Sequence, residues 1–404
     1  MASAHTYYVD SSPKVADVWF YADPADTTKS WDEWRTVLVC GFRKGGQHYF
    51  ALDITDTLDP KYLWEFPKTD DPKFPNYQDY QDFLNNKLGQ SWSEPAIGRV
   101  RKKVGSEIYE RWVAFIGGGF DTSAKGRAFF VVDIKTGEII KQFSGLVGMS
   151  HALAAPPSAV DTLGSGYVNK VYIGDLGGQM WVFDVSSSDK DNWTGKRLFA
   201  PGKEHPIYYQ PAVALDKSRT PWVFFGTGDR ENPTDKNSDE KFYAVKDDGK
   251  TGSSPYKETD LKDVTTYSEK TFKTPEDPLK GWYIKLAKAE KVLAKPAVFY
   301  NLLYFTTYTH ISTDACKTTG KATLYKVEYL SGGGAYVLDY YLQGTPSKRS
   351  EEIGEGIPSA PVISVNLQGK ASVTIGTTSD KISSKETISP TTNKETLYWR
   401  EVIP

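Results

Sequence analysis

The chain lacks the features that mark several classes of protein. Its 404 residues include only two cysteines, and a domain of this size needs no disulfide, so they indicate little about compartment. The 49 Lys and Arg residues nearly balance the 51 Asp and Glu residues, for a net charge of −2. This balance argues against a protein held on nucleic acid or anionic lipid by bulk charge. No apolar run approaches the ~18 residues of a membrane span, and Met1–His5 does not begin a signal peptide.

Turn-forming and aromatic residues are plentiful instead. The chain has 34 Gly, 23 Pro and 25 Tyr, and aromatic residues make up 14% of it. This mixture is typical of many short strands joined by tight turns. Long amphipathic helices do not stand out, although residues 79–88 are predicted to form a short helix.

One pattern recurs six times along the chain: a proline followed by a run of β-forming residues. Proline is tolerated at the first residue of a strand because its missing N–H falls outside the hydrogen-bond ladder. We predict a first strand in each of residues 12–18, 94–100, 157–161, 210–215, 295–300 and 360–365.

Further apolar runs follow each of these first strands. The second runs end in glycine in five of six cases, and the third often close on Asp. The second strands are predicted at 37–41, 112–117, 171–174, 222–226, 302–306 and 372–376, and the third at 49–53, 129–133, 181–184, 242–245 and 324–327. Fourth-strand candidates are 138–143, 196–199 and 396–402.

Each repeat unit is therefore predicted to form one four-stranded antiparallel sheet. Sheets repeated around an axis make an all-β protein, a β-propeller, and six visible units leave six or seven blades open. Two all-β sandwich domains are the alternative, but sandwiches do not predict the same Pro, Gly and Asp order six times. We expect one propeller domain over residues 1–404, with polar surface insertions at about 68–91 and 250–281.

Catalytic motifs are missing from the sequence. The histidines show no metal-ligand spacing, no nucleophile elbow is present, and the glycine-rich runs at 117–119 and 226–228 are interpreted as hairpin turns. Residues 133–137 resemble the D-x-x-T-G turn of quinone-dependent dehydrogenase propellers, which repeat it with a docking Trp, but it is clear here only once. The five histidines, expected in turns or at the surface, are His5, His48, His151, His205 and His310.

Two polar loops have part of the spacing of a calcium loop. The first offers Asp161, Ser165 and Asn169, but only one carboxylate, and Leu163 stands where an oxygen ligand is needed. The second, held in reserve, offers Asp235, Asn237 and Asp239, but Glu240 replaces the turn glycine. Both are interpreted as polar loops, with no cofactor expected and calcium binding left open at low affinity.

The two cysteines are predicted to be free thiols. Cys40 lies inside an apolar strand, where a thiol packs as a small hydrophobic group, and Cys316 lies in a loop. A strand interior and a loop are not expected to meet within the ~7 Å between Cα atoms that a disulfide allows.

Several motifs in a fixed order resemble the C-terminal β-propeller domain of PilY/PilC-type proteins. The similarity runs in register from about residue 5 to the end of the chain. It is carried by Tyr7–Pro13, Ser91–Pro95, Val171–Asp184, Phe225–Asp229, Tyr304–Cys316 and Gly354–Pro361.

The resemblance implies a function in type IV pilus biogenesis and adhesion, without enzymatic activity. It implies an extracellular place at the outer membrane, cell surface or pilus tip, partners among minor pilins or other pilus-tip proteins, and a role opposing pilus retraction. The surface ligand stays unidentified. The alternatives are a quinone-dependent or hydrolytic propeller enzyme, and a generic propeller scaffold for an outer-membrane complex.

The chain departs from this family in two ways. The family has a further blade upstream of residue 5, so we expect the chain to be an excerpt or a split gene product. The family's calcium loop, of D-x-D-x-D-G-x-x-D type, aligns on Asp161–Asn169, where only Asp161 and Gly166 are unchanged. Calcium binding therefore does not follow from the resemblance.

Overall fold

A computed structural model describes residues 6–20, 28–251, 254–268, 279–311, 320–334 and 348–387. Within them the chain forms six small sheets, in which the strands pair mainly antiparallel. Contacts divide the chain into two compact units, and the boundary falls between Arg197 and Leu198. Six separate sheets replace the two large packed sheets that a pair of sandwiches would require.

The first unit contains one α-helix and three four-stranded sheets, of which the last strand continues two residues past the boundary. The strands of each sheet lie side by side in chain order, and helix α1 (Tyr77–Asn86) separates the first sheet from the second. Short 3₁₀ turns occupy Trp31–Glu33 and Lys190–Asn192. The sheets are β1–β4 (Lys14–Trp19, Trp34–Gly41, Tyr49–Asp53, Lys61–Phe66), β5–β8 (Ala96–Val104, Glu107–Gly117, Ala128–Asp133, Ile139–Ser144) and β9–β12 (Ser158–Val160, Lys170–Gly174, Met180–Asp184, Thr194–Phe199).

The second unit contains sheets of five, five and three strands among its described residues. The fourth sheet has the order β13-β14-β15-β17-β16, and in the fifth both β18 and β19 pair with β20. A 3₁₀ turn occupies Glu258–Asp260. The strands are β13–β17 (Ala212–Leu215, Pro221–Gly226, Lys241–Lys246, Lys262–Asp263, Gly281–Lys285), β18–β22 (Glu290–Val292, Ala297–Phe299, Leu302–His310, Gly320–Glu328, Ser350–Glu355) and β23–β25 (Val362–Val365, Ala371–Gly376, Ile382–Glu386).

The repeat pattern of the sequence is confirmed strand by strand. In all six sheets a strand begins at the residue directly after the predicted proline: Pro13, Pro95, Pro157, Pro211, Pro296 and Pro361. In five sheets it is the first strand, and in the fifth it is β19, which β18 precedes. Each predicted second strand lies inside its sheet, between two hydrogen-bonded neighbours. The fourth-strand candidate at 396–402 lies outside the described residues.

Aromatic rings join neighbouring sheets within each unit. Phe129 on β7 stacks on Phe183 on β11, with ring centroids 4.1 Å apart, and Phe242 on β15 stacks on Phe305 on β20 at 3.8 Å. All four side chains are fully buried. Stacked aromatic pairs add to the free energy gained from burial, so they hold one sheet against the next.

A tryptophan of the first sheet docks on a turn of the second. The indole Nε1 of Trp64, on β4, donates a hydrogen bond of 2.8 Å to the carbonyl of Ile134, in the β7–β8 turn. Gly137 closes that turn with φ +75°, and a Cβ there would lie 2.7 Å from the Trp64 ring. The D-x-x-T-G residues 133–137 thus form a docking turn, and Gly137 leaves room for the ring.

The second unit repeats this contact, which the sequence analysis did not find. Trp282, on β17, donates from Nε1 to the carbonyl of Tyr329 at 3.0 Å, and its ring lies 3.0 Å from where a Cβ of Gly332 would stand. The turn reads Glu328-Tyr-Leu-Ser-Gly332, so Glu and Ser replace Asp and Thr. Glu328 accepts hydrogen bonds from the backbone N–H groups of residues 330 and 331, as Asp133 does from those of 135 and 136. The described residues therefore contain a second turn of the same kind.

The insertion at 68–91 is not confined to the surface, contrary to our expectation. It contains α1, which overlaps the predicted helix at 79–88, and Asn76 caps it by accepting the N–H of Asp79 at 3.0 Å. One face of the helix packs into the core of the first unit through Tyr80, Phe83 and Leu84. The insertion therefore contributes buried apolar surface to the core of the first unit, which its polar and charged composition did not indicate.

The described part of the insertion at 250–281 is also tied into its sheet. Leu261 and Val264 are buried, and β16 adds a short parallel strand beside β17. Asp248 receives a hydrogen bond from Tyr256 and pairs with Lys280 at 2.9 Å, which fixes both arms of the insertion. This segment was also predicted to lie at the surface, but its described part contributes buried residues and a strand to the fourth sheet.

The docked indoles give a first prediction. Replacing Trp64 or Trp282 by Phe leaves a buried carbonyl without its donor, so we expect the free energy of unfolding to fall by about 2 kcal/mol. Trp31→Phe is the control, because Trp31 is 95% exposed and should shift stability by less than ~0.5 kcal/mol. Urea unfolding followed by fluorescence measures both; equal midpoints for all three variants would contradict the docking role.

Asp248 gives a second prediction, on pH. Burial raises the pKa of its carboxyl, but hydrogen bonds from Tyr256 and Lys280 outweigh this and lower it to about 2. Because the folded pKa lies below the unfolded value, its stabilisation is present above about pH 4 and is lost as the pH falls through 2. We expect Asp248→Asn to cost about 1 kcal/mol at pH 7 and progressively less below pH 4.

Urea midpoints at pH 7, 5 and 3 would test the dependence on Asp248. Asp70→Asn serves as the matched variant, since the Asp70 side chain is 79% exposed and should leave the midpoint unchanged throughout. A loss for Asp248→Asn that is as large at pH 3 as at pH 7 would be inconsistent with the ion pair as its cause.

Candidate functional site

The first candidate calcium loop connects β9 and β10, and its own hydrogen bonds close it. Both carboxylate oxygens of Asp161 accept loop donors: Oδ1 accepts the N–H of Leu163 at 3.0 Å, and Oδ2 accepts that of Gly166. Asn169 is buried and its Oδ1 accepts the N–H of Thr162 at 2.8 Å. The three predicted residues thus share one loop, but Asp161 and Asn169 direct their oxygens at backbone N–H groups.

The residues of this loop fit a calcium ion poorly. Leu163 turns its side chain outward, 67% exposed, and Ser165 is a neutral hydroxyl 3.4 Å from Asp161. A guanidinium also lies against the loop, since Arg99 Nε donates to the carbonyl of Gly166. Calcium sites gather six to eight oxygens with several carboxylates, and a fixed positive charge beside the loop opposes a second cation.

The reserve loop, between β14 and β15, has a buried basic group beneath it. Asp235 Oδ1 accepts the N–H of Asn237 at 2.9 Å. Lys291, on β18, is fully buried and donates from Nζ to the backbone carbonyl of Asp235 and to that of Ala289 at 3.2 Å. Within the described residues, no hydrogen bond joins Asp239 to Asp235 or to Lys291. This loop therefore also meets a protein ammonium group.

Sequence analysis missed both of these basic residues. Arg99 is 67 positions from Gly166, and Lys291 is 56 positions from Asp235, so no local spacing connects them. The only signal for Arg99 is its alternation with buried Val100 along β5, which places it on the opposite side of that strand.

A serine, a histidine and an aspartate do come together in the first unit. Ser150 Oγ lies 3.1 Å from His151 Nδ1, and the carboxylate of His151's neighbour Asp175 is fully buried. Burial raises the pKa of Asp175 to about 6, while hydrogen bonds from Trp181, Gln179 and Gly177 oppose the shift. A catalytic triad orients its histidine so that serine and aspartate meet different ring nitrogens. Here Ser150 meets Nδ1, the nitrogen that the aspartate of a triad would meet. The Asp175 carboxylate accepts hydrogen bonds from backbone N–H groups of the β10–β11 turn.

One histidine is buried, contrary to the expectation for all five. His205 Nδ1 lies 3.1 Å from Glu240 Oε2, and both side chains are almost fully buried. His48 and His310 contact the hydroxyls of Tyr80 and Tyr308 at 3.0 and 3.2 Å. Burial lowers the pKa of His48, and nearby Glu65 opposes this. His5 lies outside the described residues.

Two cavities in the described part of the chain hold about 160 and 240 Å³, below the range of roughly 300–1,000 Å³ usual for small-molecule sites. Over the same residues, no group of three or more His, Cys, Asp or Glu side chains is arranged to hold a metal ion. The cavities are lined by Leu324, Lys326, Lys348 and Glu351, and by residues within 364–372.

Comparison with known proteins decides the family. A family model described as the PilY1 beta-propeller domain matches residues 1–262, well over half of the chain. The chain belongs to the PilY1 β-propeller domain family. The expected fold class and family resemblance are thereby confirmed.

Curated relatives of this family extend the match. A type IV pilus biogenesis factor PilY1 homolog of Xylella fastidiosa is 26% identical over 99% of this chain and 32% of its own length. Type IV pilus biogenesis factor PilY1 of Pseudomonas aeruginosa is 28% identical over 56% of this chain and 19% of its own length. The chain thus spans less than a third of the length of these relatives.

A solved PilY1 structure supports the fold directly. The crystal structure of the Pseudomonas aeruginosa PilY1 C-terminal domain superposes with a TM-score of 0.68 at 20% identity, covering 95% of this chain and 85% of that one. The six small sheets are therefore blades of a β-propeller of the PilY1 type. No helix within the described ranges has the length and apolar character needed to cross a membrane.

Cys40 agrees with its predicted state. It is a buried free cysteine, and its Sγ lies 3.6 Å from the carbonyl of Ser11. Burial, with a smaller contribution from Glu94, raises the pKa of the thiol, which keeps it protonated and unreactive. Cys316 lies outside the described residues, so its free state stays a prediction.

The donor chemistry of the two loops gives a third prediction. We expect isothermal titration of the purified chain with Ca²⁺ to show no site tighter than about 10 μM, because too few carboxylates face either loop. Asp161→Ala and Asp235→Ala should leave the titration unchanged. A micromolar site lost in one of these variants would assign the metal to that loop and refute the prediction.

Proposed function

We propose that this domain is a non-enzymatic interaction domain of the type IV pilus system. The observation that carries the proposal is the match of the PilY1 domain family over residues 1–262, with relatives named as type IV pilus biogenesis factors. Because those proteins are three or more times longer than this chain, the proposal concerns the part that the propeller plays in them.

The described residues favour binding over catalysis. The two cavities lined by residues of 324–351 and 364–372 are smaller than usual small-molecule sites, and the buried carboxylate Asp175 is engaged by the turn that it supports. The two D-x-x-T-G-like turns at 133–137 and 328–332 receive tryptophans of the preceding sheets. They therefore account for the one sequence motif that suggested a quinone-dependent enzyme, the runner-up function.

The proposed setting is the outer membrane, cell surface or pilus tip, with minor pilins or other tip proteins as partners. There the domain would oppose pilus retraction and support attachment to a surface. A generic outer-membrane scaffold would use a propeller face in the same way, so the two functions differ in phenotype rather than in fold.

A deletion in the host gives a fourth prediction. An in-frame deletion of this segment should reduce surface pili and attachment, and expression of the intact segment in the same strain should restore both. Sheared-pilus immunoblots and electron microscopy measure piliation, and an immunoblot of the deleted product shows that the rest of the protein is still made.

The same deletion in a strain that lacks the retraction motor separates two roles. Pili that return in that strain indicate that the domain opposes retraction, whereas pili that stay absent indicate a role in assembly. Normal piliation and attachment after deletion in the motor-competent strain would contradict the proposed function.

A further inference from the structure

Both loops that resemble calcium loops are held by a basic side chain from another strand. In the first unit Arg99, on β5, donates to the carbonyl of Gly166, and in the second Lys291, on β18, donates to the carbonyl of Asp235. The two loops belong to different sheets and have different sequences. A positive charge bonded to a loop carbonyl is what they share.

The arginine of the first loop is fixed in place on several sides. Its Nη1 pairs with Glu110 Oε2 at 3.2 Å, and its guanidinium lies 4.9 Å from the ring centroid of Tyr167. The hydroxyl of Tyr167 donates to the same Glu110 oxygen at 3.2 Å. Gly166 has φ +80°, and a Cβ there would stand 2.3 Å from Arg99 Nη2. Glycine at this position therefore allows both the positive φ of the turn and the close approach of the guanidinium.

The lysine of the second loop is enclosed more completely. Its side chain is fully buried, and two backbone carbonyls accept from Nζ. The carboxylates of Asp235, Glu240 and Asp229 lie close enough to counter the lowering of the Lys291 pKa by burial. A buried ammonium is stable only when oxygens surround it, which is also the chemistry that a bound cation requires.

We propose that Arg99 and Lys291 perform the structural role of a bound cation in these two loops. Each donates a charge-assisted hydrogen bond to a loop carbonyl, so each loop keeps its conformation without a metal ion. A divalent cation placed beside either group would be repelled by it, which agrees with the poor fit of calcium to the donors present.

Amide hydrogen exchange tests this role on the whole chain. In the unaltered protein we expect residues 161–169 and 232–239 to exchange at the same rates in EDTA and in millimolar Ca²⁺. Arg99→Gln should speed exchange in 161–169, and Lys291→Met in 232–239, each by about tenfold or more, since a charge-assisted bond is lost.

Matched variants control for charge and surface effects. Arg101 also packs on the Tyr167 ring, at 4.5 Å, so Arg101→Gln should leave exchange in 161–169 unchanged. Lys288 is exposed and three positions from Lys291, so Lys288→Met should leave 232–239 unchanged. Unchanged exchange in Arg99→Gln and Lys291→Met would overturn the proposal, as would loss of protection of the unaltered loops in EDTA. The EDTA comparison needs no variant, so loss of protection there would overturn the proposal even where Lys291→Met fails to fold.

Discussion

The docking of a tryptophan on the turn of the next sheet is the contact on which the blades of each unit depend. Trp64 and Trp282 each lie on the strand of their sheet that comes last in the chain. Each places its indole N–H on a carbonyl in a turn of the next sheet and its ring over a glycine. A small sheet buries too little area to be stable alone, so its stability comes from its neighbours. The stacks of Phe129 on Phe183 and of Phe242 on Phe305 extend the same sheet-to-sheet contact into the core. The turn motif that first suggested an enzyme is thus part of this scaffold.

A second constraint acts on buried polar and ionisable side chains, several of which, among the described residues, meet an opposite group or a polar backbone group. Asp175 is surrounded by N–H donors, His205 meets Glu240, and Lys291 meets carbonyls and carboxylates. These pairs lie in turns and loops at the ends of strands, where the backbone has polar groups to spare. Such networks make a loop specific in conformation rather than raise overall stability, because removing a charge from water costs about as much as the pair returns.

The proposed role as an interaction domain agrees with the family to which the chain belongs. Its relatives are pilus biogenesis factors several times its length. Where the loops are fixed by internal basic residues, their surfaces are preformed, which lowers the ordering cost of binding a partner.

The sequence by itself determined the repeat. A proline directly precedes a strand in all six sheets, and glycine ends five of the second strands. Both effects are local, because proline lacks a backbone N–H and fixes its φ, whereas glycine can adopt φ values that other residues avoid. The sequence also indicated the candidate loops and the helix near 79–88. Only the tertiary structure decided which distant residues meet: the buried face of α1, the second docking turn at 328–332, and the pairing of Arg99 with Gly166 and of Lys291 with Asp235. These contacts span 47 to 67 positions and depend on how one sheet packs against another, which no local spacing encodes.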